Sequence, residues 1–306
     1  MAHHHEHEEG HHHHVHSHEI SSLNSAFILG IILNSAFVIF EFAAGFLYNS
    51  LGLLSDAGHN LSDVASLTLA LLAFRLTKAH TNKQYTYGYK KSSILVSLLN
   101  AVILLTAVGM IIMESIEKLL SPQPVEGNVI AWVAAIGVII NAATAWLFMR
   151  DKEKDLNVKG AYLHMAADAL VSIGVLISGI IIVHTGWYVI DPIIGLAVAG
   201  VIIYSTWGLL HDSLRLSLDG VPANIDPDCV SKEIQSIEGV SSMHHLHIWA
   251  ISTTENAMTT HIVISDIAKM EAIKHEIRHR LEHLNIHHVT LEFEKEGCHC
   301  EEEECR

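Results

Sequence analysis

Two copies of His-x-x-x-Asp stand inside apolar stretches of this chain: His59 with Asp63 in LSDAGHNLSDVASLTLALLAF, and His164 with Asp168 in KGAYLHMAADALVSIGVLISGIII. Residues four apart share a helical face, so each motif directs an imidazole and a carboxylate the same way. An ionised Asp near the centre of a membrane helix costs about 2.5–3.5 kcal/mol. Two such residues, each beside a histidine, need a shared benefit, and a divalent cation held between the helices supplies one. Two imidazole nitrogens and two carboxylate oxygens make a four-coordinate set suited to Zn²⁺. Burial for helix packing accounts for one such pair, but not for two at matched depth. The chemistry expected of these residues is the passage of a metal cation across a bilayer.

The elements that must position them are membrane-spanning helices. Six apolar segments, each near the ~20 residues a span requires, run over 23–48, 51–76, 92–114, 128–149, 158–183 and 189–211. The connection after the second carries Arg75, Lys78, Lys83, Lys90 and Lys91, and that after the fourth carries Arg150, Lys152, Lys154 and Lys159; the alternate connections have little beyond Lys118. The positive-inside bias then puts both basic loops, and with six spans both termini, in the cytoplasm. Counted inward from the outer end of the second span, His59 and Asp63 lie roughly 12–18 Å deep at 1.5 Å per residue. Counted from the inner end of the fifth, His164 and Asp168 lie roughly 9–15 Å deep. The two motifs therefore meet near the midplane of a core of ~30 Å. Each occupies the middle helix of a three-span half, which suggests an inverted repeat with its site between the halves.

Composition agrees with a membrane domain carrying a soluble appendage. The 306 residues are 50% hydrophobic and 17% charged, with a mean hydropathy of +0.34. The formal net charge of −15 leaves no basic stripe for nucleic acid. The 25 His point instead to metal cations. Residues 1–19 form a polar His/Glu-rich head without a basic n-region or an apolar h-region, so no cleavable leader is expected there and a metal-buffering tail is. The tail over 297–306 gathers Cys298, Cys300 and Cys305 with His299, a spacing suited to soft cations in a reducing compartment rather than to disulfides. Cys229 reads as a small helix residue.

After the membrane domain (20–211) the pattern changes over 212–296. Asp226-Pro227 is a helix start, with Val230, Ile234 and Ile237 as the apolar stripe. Two strand-like runs follow, SMHHLHIWAIS and AMTTHIVIS, then a helix over 268–284 with Ile273, Ile277, Leu281 and Leu284 inward, then the strand HHVTLEFE. The order α-β-β-α-β makes a small α+β domain with helices on one face of a sheet.

The segments SDAGHNLSD, LNVKGAYLHMAADALVSIG, TGW, LDGVP and HLHIWAIS together resemble the cation diffusion facilitator family, most closely its bacterial cobalt–zinc–cadmium resistance branch. The resemblance covers residues 20 to 294. It implies a homodimer in the cell inner (plasma) membrane, a six-helix membrane bundle, a ferredoxin-like cytosolic domain, and export of Zn²⁺, with Cd²⁺ or Co²⁺ as further cargo, in exchange for protons. No organic cofactor is implied. His59, Asp63, His164 and Asp168 match the family's transport-site positions. His244, His261, Glu292 and Glu294 match positions where relatives bind regulatory zinc, and His245 stands where Asp is frequent. Lys91 and Asp219 match a salt-bridge network near the subunit boundary, in which Ser93 replaces a common acidic residue.

Other polar residues compete for attention. Glu41 and Asp56 sit in the first two spans and are either partners of neighbouring polar groups or members of an ion pathway. His275-Glu276-Ile277-Arg278-His279 fits the H-E-x-x-H pattern of zinc peptidases, but Ile273, Ile277 and Leu281 turn that helix so that both histidines face solvent. A tethered metallohydrolase and a metal sensor without flux are the rival functions; transport is the expectation.

Overall fold

The computed structural model describes residues 16–47, 51–121 and 127–297; within them, the side chains of 16–22, 45, 51–56, 58, 59, 62, 127–131, 175, 178, 179 and 191 are not described. Six long helices come first: α1 (His16–Leu47), α2 (Leu51–Leu76), α3 (Ser92–Leu120), α4 (Gly127–Met149), α5 (Leu156–Thr185) and α6 (Ile190–Ser217). Among the described residues, four stretches are long and apolar enough to cross a membrane: Leu23–Ala44, Ser92–Leu120, Trp132–Met149 and Pro192–Ser217. The polar motifs lie on α2 and α5, both of which contain residues whose side chains are not described. Large apolar side chains such as Ile39, Trp132, Ile139 and Tyr204 are exposed on the bundle surface, as a lipid-facing wall requires.

Helix ends follow local chemistry more than apolarity. α3 runs six residues past the expected 114, to Leu120, where Lys118 pairs with Glu114 at 2.9 Å across one turn. α5 starts on Asp155, whose carboxylate accepts from Asn157 N at 2.7 Å and Val158 N at 3.2 Å. It ends on Gly186 at φ +69°, a left-handed position that favours glycine. α6 continues to Ser217 although its apolar run stops at 211.

Within the bundle, α1 packs on α2, α3 on α6, and α4 on α5, while α2 and α5 meet at the centre. One core cluster joins Phe27, Leu67, Ala70, Phe148 and Met165 from α1, α2, α4 and α5, with the Phe27 and Phe148 rings 4.8 Å apart. A second joins Leu104, Val108, Ala167, Ala199 and Ile202 from α3, α5 and α6. Alanines recur at these contacts and let the helices that bear the polar motifs approach closely.

The remaining elements are α7 (Pro227–Gln235), β1 (Val240–Ala250), β2 (Asn256–Ile264), α8 (Met270–His283) and β3 (Ile286–Lys295), in the expected α-β-β-α-β order. Asp226 caps α7 by accepting from Asp228 N at 3.0 Å. The sheet is mixed, in the order β1-β2-β3, with β1 antiparallel and β3 parallel to β2. Its core gathers Val230 and Ile234 of α7, Ile248, Met258 and Ile262 of the sheet, and Ile273, Ile277 and Leu281 of α8, with Leu284 packed at its edge.

The two parts of the chain touch through the loop between β1 and β2. Thr253 Oγ donates to Asp155 Oδ2 at 2.5 Å, and Thr253 N donates to Ser93 Oγ at 3.1 Å. Lys90 pairs with Glu255 at 2.5 Å. The loop therefore grips the cap of α5 and the start of α3 together.

Candidate metal centre

α2 and α5 bring Asp63, His164 and Asp168 into one buried cluster. Asp63 Oδ1 lies 2.5 Å from His164 Nε2, and Asp168 Oδ2 lies 3.9 Å from the same nitrogen. One donor atom from each of the three falls within 4.8 Å of the others. All three are nearly inaccessible, at 2%, 3% and 7% exposure. The histidine of the second motif thus faces the aspartate of the first across the two helices. His59 lies on α2 one turn before Asp63, and its side chain is outside the described residues, as is that of Asp56.

A further buried polar pair sits beside this cluster. Asn60, on the same helix as Asp63, donates from Nδ2 to Glu41 Oε2 of α1 at 2.5 Å. Glu41 is fully buried, so the partner anticipated for it is an amide on the motif-bearing helix. Asn34 of α1 reaches α4 through Thr144 Oγ at 3.2 Å. Carboxylates so far from water persist where neighbouring groups or a cation satisfy them.

The second cluster lies on the sheet. His244 of β1 stands opposite His261 of β2, which stands opposite Glu292 of β3. Glu294 Oε1 lies 2.7 Å from His261 Nδ1 and 3.3 Å from His244 Nε2, and these three residues offer donor atoms within 4.8 Å of one another. Glu292 Oε2 approaches His261 Nε2 at 3.5 Å from a more exposed position. Two imidazoles and a carboxylate form a donor set that fits Zn²⁺. His245 was not singled out as a ligand from sequence, yet its ring lies against both neighbouring imidazoles.

Lys91 and Asp219 are in direct contact. The Ser93 hydroxyl accepts from Thr253 N, and Lys90–Glu255 adds an ion pair that the sequence reading missed. Glu255 lies in the β1–β2 loop and Lys90 just before α3, 165 residues apart, so no local pattern pairs them.

The HEIRH segment on α8 is engaged otherwise. Glu276 accepts from Arg280 Nε at 2.7 Å, and Arg280 also reaches Ser236 Oγ at 2.7 Å and Glu233 Oε2 at 3.4 Å, tying α8 to α7. The hydrogen bond from Arg280 holds the Glu276 carboxyl below its ordinary range. His275 and His279 are exposed, and no general base stands free between them. Cys229 is exposed; Cys298, Cys300, Cys305, His299 and residues 1–15 lie outside the described residues.

Comparison with known proteins completes the picture. Residues 27–216 match the cation efflux transmembrane domain, and residues 222–296 match the cytoplasmic domain of cation efflux proteins. The chain belongs to the cation efflux family. It is 37% identical over 92% of its length to a cadmium, cobalt and zinc/H⁺-K⁺ antiporter of Bacillus subtilis, covering 92% of that protein. It is 36% identical to the metal cation efflux system protein CzcD of Cupriavidus metallidurans, over 92% of this chain and 90% of the relative. The zinc transporter ZitB of Escherichia coli is 34% identical over 87% of this chain and 86% of its own. As a family member the chain is a multi-pass membrane transporter rather than an enzyme, and the metallohydrolase reading of HEIRH falls with that.

Proposed function

We propose that this chain exports Zn²⁺ from the cytoplasm in exchange for protons, with Cd²⁺ and Co²⁺ as further cargo. The observation that carries the proposal is the buried Asp63–His164–Asp168 cluster between α2 and α5, three metal-donor groups held from water by a membrane bundle. His59, one turn from Asp63 on the same helix, is assigned as the fourth ligand. An N₂O₂ set favours Zn²⁺ and Co²⁺ over Mn²⁺ and Mg²⁺, which prefer oxygen shells. The names of the relatives support the same cargo.

In this reading α1 to α6 are six spans, and α2 and α5 carry the site. The protein sits in the inner membrane with both termini cytoplasmic, following the basic loops after α2 and α4. It works as a homodimer, with Lys91–Asp219 near the subunit boundary, and its α-β-β-α-β domain has a ferredoxin-like plan. His244, His261, Glu292 and Glu294 bind a second, regulatory zinc. The loop at Thr253 links that domain to the N-terminus of α5, on which His164 and Asp168 lie two to four turns further along.

Two results are expected. Expression in a zinc-sensitive bacterium lowers cellular zinc and raises the tolerated zinc concentration, and Asp168→Ala removes both effects while the protein still reaches the membrane. Equal tolerance with the variant would refute the export reading as tied to this site. His261→Ala weakens zinc binding at the cytosolic cluster by at least the roughly 10–100-fold that even outer-shell changes cost, measured by calorimetry on a chain lacking residues 2–18. An unaltered isotherm would remove His261 from the ligands.

A further inference from the structure

Among the described residues, three that are not glycine have positive φ: Asp219 at 58°, His245 at 50° and Asn285 at 60°. Two have a simple cause. Asp219 follows Leu218, the C-cap of α6, and Asn285 follows Leu284, the C-cap of α8, so each occupies the left-handed position on which helices end. His245 ends no helix. It lies in the middle of β1, where a left-handed residue interrupts a strand.

The register shows what the interruption does. His244 pairs with His261 and His247 with Thr259, so His245 and Leu246 together face the single residue Thr260. This is a β-bulge. Thr260 Oγ1 donates to the His244 carbonyl at 3.0 Å and pins it. In a regular strand His245 would leave the sheet on the face opposite His244. Instead its ring centroid lies 5.0 Å from that of His244 and 4.9 Å from that of His261, and those two are 5.1 Å apart. Three imidazoles thus form a near-equilateral triangle, and the Glu294 carboxylate stands against two of them, His244 and His261. Bulges re-aim side chains at functional sites, and strained backbone persists where the surroundings require it. Packing alone supplies no reason for an imidazole here, since an apolar side chain in a regular strand would fill space without strain.

We propose that His245 is a ligand of the cytosolic metal site, which the bulge delivers to the same face as His244 and His261. The proposal rests on the reading of this cluster as a metal site. The donor set then becomes three imidazole nitrogens with the Glu294 oxygen, and Glu292 stands at the rim. Such an N₃O set binds Zn²⁺, Co²⁺ and other borderline transition cations and discriminates more strongly against Mg²⁺ and Mn²⁺ than two imidazoles with two carboxylates.

The test is site-resolved modification of histidines by diethylpyrocarbonate on the full-length protein in detergent, read by mass spectrometry as Zn²⁺ alone is added. His244, His245 and His261 are expected to become protected together, at one zinc concentration, while the exposed His247 on the same strand stays reactive. H245N and H245G both tolerate the left-handed backbone. In each, the zinc concentration that half-protects His261 is expected to rise at least about tenfold. Protection of His244 and His261 with His245 still reactive, or an unchanged half-protection concentration in both variants, overturns the proposal and leaves the site. No protection at any of the three histidines overturns the metal-site reading itself.

Discussion

Asp63→Ala and His164→Ala are each expected to bring zinc transport to background while leaving a folded protein in the membrane. The two side chains come from different helices and lie 2.5 Å apart, with Asp168 3.9 Å from the same imidazole nitrogen. A four-coordinate cation loses a quarter of its protein ligands with either change, and zinc affinity falls by more than the roughly 10–100-fold typical of outer-shell substitutions. A carboxylate in a membrane helix carries an insertion cost even with His164 beside it, so alanine at 63 eases insertion. The alanines at the α2–α5 contacts and the Phe27–Phe148 packing are untouched. Flux is measured in proteoliposomes alongside detergent-solubilised monodispersity. Near-normal flux in both variants would remove the cluster from the transport path.

Zinc affinity of the membrane site is expected to fall steeply with acidification. A cation binds the neutral imidazole and the ionised carboxylate, so protons and metal compete for the same atoms. Histidine has an ordinary pKa of about 6.5. Below the pH at which the ring titrates, each further unit leaves about tenfold less neutral imidazole. His164 and His59 competing together steepen the dependence to as much as about a hundredfold per unit. Asp63 and Asp168 face the His164 ring, and Glu41 stands nearby through Asn60. Zinc titrations at pH 7.5, 6.5 and 5.5, on a chain lacking residues 2–18 and carrying His261→Ala, measure this. An affinity that does not change across that range would break the link between metal release and proton uptake.

The paired motifs were legible because His-x-x-x-Asp has a fixed meaning on a helix: four residues are about one turn, and two such faces at similar depth can share an ion. The contact between Asp63 and His164 follows from that. The α+β domain was legible through periodicity, with Ile273, Ile277 and Leu281 inward on α8 and Asp226-Pro227 opening α7. Helix ends were less so, because α3 and α6 continue past their apolar runs on local polar contacts such as Lys118–Glu114. Glu41–Asn60 and Thr253–Asp155 join residues distant in sequence, and no local pattern announces them. His245 is the clearest omission. Alternation assigns it to the face opposite His244, and only the bulge, with its left-handed backbone, reverses that assignment.

Outward movement of metal and inward movement of protons through one site form a coupled exchange. Its most direct measurement uses sealed proteoliposomes that report zinc and internal pH at once, with a pH gradient imposed in either direction. Zinc flux is expected to accelerate when the side receiving the metal is the more acidic, to be accompanied by opposite proton movement, and to lose both features together in Asp63→Ala. Zinc flux that ignores the gradient and moves no protons would contradict the account.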